Sequence, residues 1–111
     1  MFKRVCIIGC GLIGSSIARG IKKNKISTEV VSSNRSNSIN KKVIRLKIVD
    51  EASSDTKKIV KGSDLIIIAS PLSSYKNIIL KIKGSLKNGA ILTDVGSVKK
   101  NVISLNRKKY S

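Results

Sequence analysis

The 111-residue chain has no histidine and no tryptophan, and it holds one proline, one phenylalanine, two tyrosines and two cysteines. The missing histidine removes the usual proton acceptor near neutral pH and the commonest metal ligand. Cys6 and Cys10 stand in C-x-x-x-C spacing with no second pair, so they do not make a zinc site. A disulfide between them would tie a strand to its own turn and gain little. Cys6 reads as a small buried apolar residue, and both cysteines as reduced thiols. With so few aromatics there is no platform on which the bases of a single strand could stack. The N-terminal apolar run is short and broken by glycines, unlike a signal peptide or a membrane helix. The expectation is a soluble, cytoplasmic protein.

Acid is also scarce. Six Asp and Glu face 23 Lys and Arg, a formal net charge of +17. Such a balance often marks nucleic-acid or anionic-surface binding. Here the lysines are scattered, as at Lys22, Lys41, Lys57, Lys81 and Lys108, mostly on what would be polar helix faces. Abundant Lys, Ile, Asn and Ser match drift in an A/T-rich coding sequence. Charge-driven binding of nucleic acid would be salt-sensitive and would not need the glycines. It is the weaker reading.

What is present is organised around residues 5–20, VCIIGCGLIGSSIARG. Val5-Cys6-Ile7-Ile8 is too short for a helix and rich in β-branched residues, so it reads as a buried parallel strand. Gly9, Gly11 and Gly14 follow as G-x-G-x-x-G, and then a helix with Ile13, Ile17 and Ile21 on one face. This strand, turn and helix order is the context a dinucleotide fingerprint needs. Gly9 makes the tight turn, a side chain at Gly11 would block a pyrophosphate, and Gly14 lets helix and strand pack closely. The helix start, through Leu12 and Ile13, presents free N–H groups and a positive dipole end to phosphates.

The remaining apolar runs alternate with helical stretches, which predicts an α/β fold: a Rossmann-type doubly wound parallel sheet, three-layer α/β/α, with about five strands. Strands are expected at 4–8, 29–33, 48–50, within 64–70 and at 90–94. Helices are expected at 12–23, 39–47 (inner face Ile39, Val43 and Leu46), 55–60, 75–86 and 98–106. Ser73 or Ser74 can cap the fourth helix. The unbroken Leu65-Ile66-Ile67-Ile68 run marks a central strand covered on both faces, and Pro71 ends it. Gly62 and Asn88-Gly89 are turns. Residues 1–106 make one domain, and 107–111 a polar tail.

In such a fold ligands lie beyond the carboxyl ends of the strands. Those ends carry the loop 9–14, Asn34-Arg35, Ser70-Pro71 and Asp94-Val95-Gly96-Ser97. An acid about 20 residues past the glycines commonly holds the ribose 2′-hydroxyl. Here that position is Asn34, followed by Arg35. One reading has Asn34 bond the ribose while Arg35 stacks on adenine. The other has Arg35 accept a 2′-phosphate. NAD is expected to bind, with NADP not excluded. Ser97 can be a helix N-cap, a group beside the substrate, or both.

The segments VCIIGCGLIGSSIARGI, SDLIIIASP and ILTDVGSVK, with KIVDEASSD between them, together resemble the cofactor domain of the prephenate and arogenate dehydrogenases of tyrosine biosynthesis. The resemblance runs from Val5 to about Ile103. GLIGSS and DVGSVK are far more specific than the glycines alone. It implies oxidative decarboxylation of prephenate to 4-hydroxyphenylpyruvate, or of arogenate to tyrosine, with NAD or NADP as acceptor. It places Ser97 beside the substrate hydroxyl, gives Gly9, Gly11 and Gly14 the pyrophosphate, and sets Ser70 and Pro71 along the nicotinamide side. The family's general base is a histidine beyond DVGSVK, and its helical C-terminal domain supplies substrate-binding arginines and a homodimer interface. Neither is in these 111 residues, and Lys99 would need a large downward pKa shift to stand in as base. The chain therefore reads as the cofactor-binding part of such an enzyme, truncated before that domain and inactive alone. A non-catalytic dinucleotide-binding module is the alternative.

Overall fold

Short runs of β-branched residues, each closed by a turn or a helix cap, set the order of elements. The computed structural model describes residues 2–95; Ser97, Lys99, the helix expected at 98–106 and the tail at 107–111 lie outside them. Five strands, β1 (Phe2–Ile8), β2 (Ser27–Ser33), β3 (Glu51–Ser53), β4 (Leu65–Ile68) and β5 (Ile91–Asp94), alternate with helices α1 (Leu12–Lys23), α2 (Asn37–Arg45), α3 (Thr56–Ile59) and α4 (Tyr75–Ile82). The strands form one parallel sheet in the order β3-β2-β1-β4-β5. The chain leaves β1 to one side and returns past it to β4, so the topological switch point lies between β1 and β4.

Alternate residues of each strand face opposite layers. Val5, Ile7, Val30 and Ile67 pack against Ala18 and Ile21 of α1 and Val43 of α2. Cys6, Ile8, Val31, Ile66 and Ile68 pack against Ile59 of α3 and Ile82 of α4. The three-layer arrangement follows. Among the described residues, no helix is long and apolar enough to cross a membrane.

Four expectations are corrected. The inner stripe of α1 is Gly14, Ala18 and Ile21, with Ile17 packed at its flank and Ile13 48% exposed. The close approach at Gly14 sets that rotation. In α2 the inward residues are Asn40 and Val43, whereas Ile39 and Leu46 are exposed. The third strand is Glu51–Ser53 rather than 48–50. Ile48 and Val49 are buried, but their N–H groups donate to Val43 O and close the end of α2, so they are not available to a sheet. The fourth helix is also shorter than expected. It follows a 3₁₀ turn (Leu72–Ser74), gives way to another (Lys83–Ser85), and has no side-chain cap from Ser74.

At the amino ends of the strands, Asp64 fastens three of them. Its carboxylate accepts from Lys3 N at 2.6 Å and Arg4 N at 3.0 Å, and pairs with Lys87. The Lys87 ammonium, with the two backbone N–H groups, lowers this carboxyl to about 2.

Candidate functional site

Register aligns the carboxyl ends of the strands along one edge. Ile8 pairs with Ser33 and with Ile68, Ser33 with Ser53, and Ile68 with Asp94. The loop 9–14 crosses this edge at the switch point and is held there from three sides. Gly9 N donates to Ser33 O at 2.8 Å. Cys10 N donates to Asn34 Oδ1 at 2.6 Å. Ser15, in the first turn of α1, donates its hydroxyl to Cys10 O at 3.2 Å.

The three glycines differ in what demands them. Gly9 has φ +89°, a conformation L side chains rarely adopt, and a Cβ there would sit 2.7 Å from Ser70 Oγ. At Gly14 a Cβ would sit 2.6 Å from Gly9 O, so helix and loop touch backbone to backbone. Gly11 has φ −79°, which any residue adopts, and a Cβ there would meet nothing within 4 Å. The fold itself does not need glycine at Gly11.

Gly11 is the N-cap of α1. It gives no side-chain cap bond, and the first turn carries no acid. The opening N–H groups of a helix have no partner within it, and with the dipole they favour an anion. Leu12 stands beside them, 94% exposed.

At the end of β2, Asn34 stands at the position expected for the ribose contact and is tied into the protein. Asn34 is only 7% exposed and turned inward. Its amide nitrogen donates to Ser32 Oγ at 3.2 Å and to Asn40 Oδ1 at 2.8 Å, while its oxygen takes the Cys10 N–H. Both amide protons are thus engaged within the protein. Asn40 Nδ2 in turn donates to Asn34 O at 3.1 Å. Arg35 is exposed and has no ion-pair partner among the described residues. Reading the sequence missed Asn40, because it looked for an apolar inner face on α2. A signal was present in principle: an amide at i, three residues before an inward valine, sits on the buried stripe.

On the far side, Ser70 packs against Gly9 and its hydroxyl approaches Ile8 O at 3.4 Å. Pro71 opens the 3₁₀ turn, and Leu72 after it is exposed. A cavity of about 210 Å³ lies beside Ile68, Tyr75, Ile79, Leu92, Thr93 and Asp94. Desolvation, and then the Asp94 carboxylate, push the Tyr75 phenol above its ordinary value. The edge thus brings Ser70 and Gly14 close to Gly9, and Asn34 against Cys10.

Both thiols are buried. Burial, partly offset by Arg4, raises Cys6 to about 12. Burial also raises Cys10, with hydrogen bonds from Ser15 and Ser32 pulling the other way. Both are free. Among the described residues no group of three His, Cys, Asp or Glu could hold a metal ion.

Comparison with known proteins adds the following. The family model of the prephenate dehydrogenase nucleotide-binding domain matches residues 17–111. A prephenate dehydrogenase of Lactococcus lactis subsp. cremoris is 34% identical over 110 residues, covering 98% of this chain and 30% of its own length. A cyclohexadienyl dehydrogenase of Zymomonas mobilis is 32% identical over 103 residues, covering 93% of this chain and 35% of itself. The chain thus spans about a third of the length of the curated relatives it matches. Synechocystis arogenate dehydrogenase superposes with a TM-score of 0.76 at 25% identity, over 82% of this chain and 32% of that one. Prephenate dehydrogenase from A. aeolicus, solved in complex with hydroxyphenyl propionate and NAD+, superposes with a TM-score of 0.78 at 22% identity, over 85% and 33%. That last likeness speaks for the fold.

Proposed function

The chain belongs to the prephenate dehydrogenase family, as its nucleotide-binding domain, and from that membership we propose that it binds NAD for the oxidative decarboxylation of prephenate. The observation that carries the reading is Gly11. Gly9 and Gly14 are required by close backbone packing, whereas Gly11 faces open space at the start of α1 and leaves room for a ligand to come close to the backbone. The uncapped, acid-free start of α1 beside it suits a pyrophosphate.

The residues proposed to hold the dinucleotide are Gly9, Gly11, Leu12, Ile13 and Gly14 at the pyrophosphate, Arg35 at the ribose end, and Ser70 and Pro71 on the nicotinamide side. When bound, the dinucleotide supplies the electron acceptor of the oxidation. Ser97 is proposed to hydrogen-bond the substrate hydroxyl. Arogenate is the second substrate reading, supported by the likeness to the Synechocystis enzyme. A cytoplasmic location belongs to the same reading and is supported by two free, buried thiols.

Arg35 bears on the choice of cofactor. No acid stands at the end of β2 to repel a 2′-phosphate, and an exposed guanidinium is there to meet one. Calorimetric titration with NAD and NADP tests the reading. NAD should bind, and NADP should bind within about tenfold of it. Arg35→Ala should cost NADP about tenfold or more, the worth of one charge-assisted bond, and cost NAD little. If neither dinucleotide binds, the cofactor reading is wrong.

A further inference from the structure

Resting on the dinucleotide reading, we propose that Asn40 is a positioning residue: it acts through Asn34 to hold the pyrophosphate loop in its binding shape. Asn40 is buried on the inner face of α2 together with Val43, 6% exposed. A buried amide in such a place is tolerated only when its polar atoms are paired. Its pairing is reciprocal and directional. Asn40 Oδ1 accepts from the Asn34 amide at 2.8 Å, and Asn40 Nδ2 donates to the Asn34 backbone carbonyl at 3.1 Å. Ser32 Oγ, fully buried, takes the other Asn34 proton at 3.2 Å.

The Asn40 Oδ1 acceptor on one side and the Cys10 N–H donor on the other leave the Asn34 amide a single favourable orientation. A flip would set Asn34 Oδ1 against Asn40 Oδ1 and would aim Nδ2 at the Cys10 N–H. Held as it is, Asn34 Oδ1 receives that N–H at 2.6 Å. Cys10 lies between Gly9 and Gly11, so this bond fixes the middle of the loop. The backbone of Asn34 is itself pinned to β3, through Asn34 N to Ser53 O at 3.2 Å. The loop is therefore referenced to β2, β3 and α2 together.

A residue that merely stabilised the fold would lower the melting temperature and leave the affinity of the folded protein alone. A positioning residue couples to the loop. The test compares the parent chain, Asn40→Ala and Asn40→Asp by thermal unfolding, by hydrogen exchange of the Cys10 amide, and by NAD and NADP titration well below the melting temperature. Asn40→Ala frees the Asn34 amide. The Cys10 amide should exchange at least about tenfold faster, and NAD and NADP should each lose about tenfold in affinity with their ratio unchanged. Asn40→Asp keeps an acceptor for the Asn34 amide but loses the donor to its carbonyl. It should melt lower yet keep Cys10 protected and NAD bound as in the parent. NAD affinity that follows melting temperature rather than Cys10 protection overturns the proposal, as does an altered NAD-to-NADP ratio. If Asn40→Ala does not fold, Asn40→Asp decides alone: weakened NAD binding with Cys10 still protected overturns it. Cys10 exchange needs no ligand. A parent that fails to bind NAD while Asn40 still controls Cys10 would therefore fault the cofactor reading, not the clamp.

Discussion

Replacing Gly11 with alanine separates what the fold needs from what a ligand needs. The backbone there, φ −79° and ψ −154°, lies in the extended region open to any L-residue. The new methyl would meet no atom within 4 Å. Two small effects oppose each other in the free protein. Alanine restricts the unfolded chain and stabilises by about 0.4–1 kcal/mol. Alanine is also a poorer N-cap than glycine, by about the same amount. The net change should stay within about 1 kcal/mol, a melting shift of no more than about 4–8 °C for a domain of this size. Binding should respond quite differently, because the methyl occupies the space a pyrophosphate would use. Loss of about 1.4 kcal/mol is already tenfold, and displacement of the phosphates should exceed that. Scanning calorimetry and NAD titration on the same samples decide the matter. A fall in melting temperature well beyond that range would mean the fold requires glycine there. An unchanged melting temperature with parental NAD affinity would mean the space is no seat for a ligand.

Two further outcomes are expected. Gly14→Ala would set a methyl 2.6 Å from Gly9 O. Because that oxygen is backbone, α1 must move away, at about 1–3 kcal/mol, and a melting temperature equal to the parent's would refute the close approach. Asp64 ties the starts of β1, β4 and β5 together. Its carboxyl is held at about 2 in the folded chain, against about 4 when unfolded. A lowered folded pKa contributes stability that is complete above the unfolded value and is lost as pH falls toward the folded one. Urea midpoints should therefore drop between about pH 4 and pH 2, and Asp64→Asn should flatten that part of the profile. An identical profile in the variant would remove Asp64 from the cause.

Much of this protein is written locally. The bounds of α1 come from the glycines before it and the Lys22-Lys23-Asn24 end after it. The burial of β4 follows from an unbroken run that only a doubly covered strand can hide. The turns at Gly62 and Gly89 need φ near +80°, which glycine supplies at no steric cost, and Asp55 caps α3 from its own neighbourhood. Each depends on residues a few positions apart, so a linear reading reaches it. The G-x-G-x-x-G spacing likewise located the loop, since a loop after the first strand must emerge at the carboxyl edge of a parallel sheet.

Other features were decided only when distant elements met. Which face α1 turns inward depends on how closely Gly14 approaches the Gly9 carbonyl, where a Cβ would sit 2.6 Å from the oxygen, and periodicity alone assigned Ile13 to the wrong side. The position of β3 depends on α2 claiming the N–H groups of Ile48 and Val49. Asn34 sits where a ribose ligand is expected by spacing, and its amide protons still go elsewhere, because Ser32 and Asn40 bring two acceptors to it from β2 and α2. Spacing gives a residue its place on the chain. The direction of a hydrogen-bonding side chain is settled by the partners that packing brings within reach, and those partners are set by the tertiary structure.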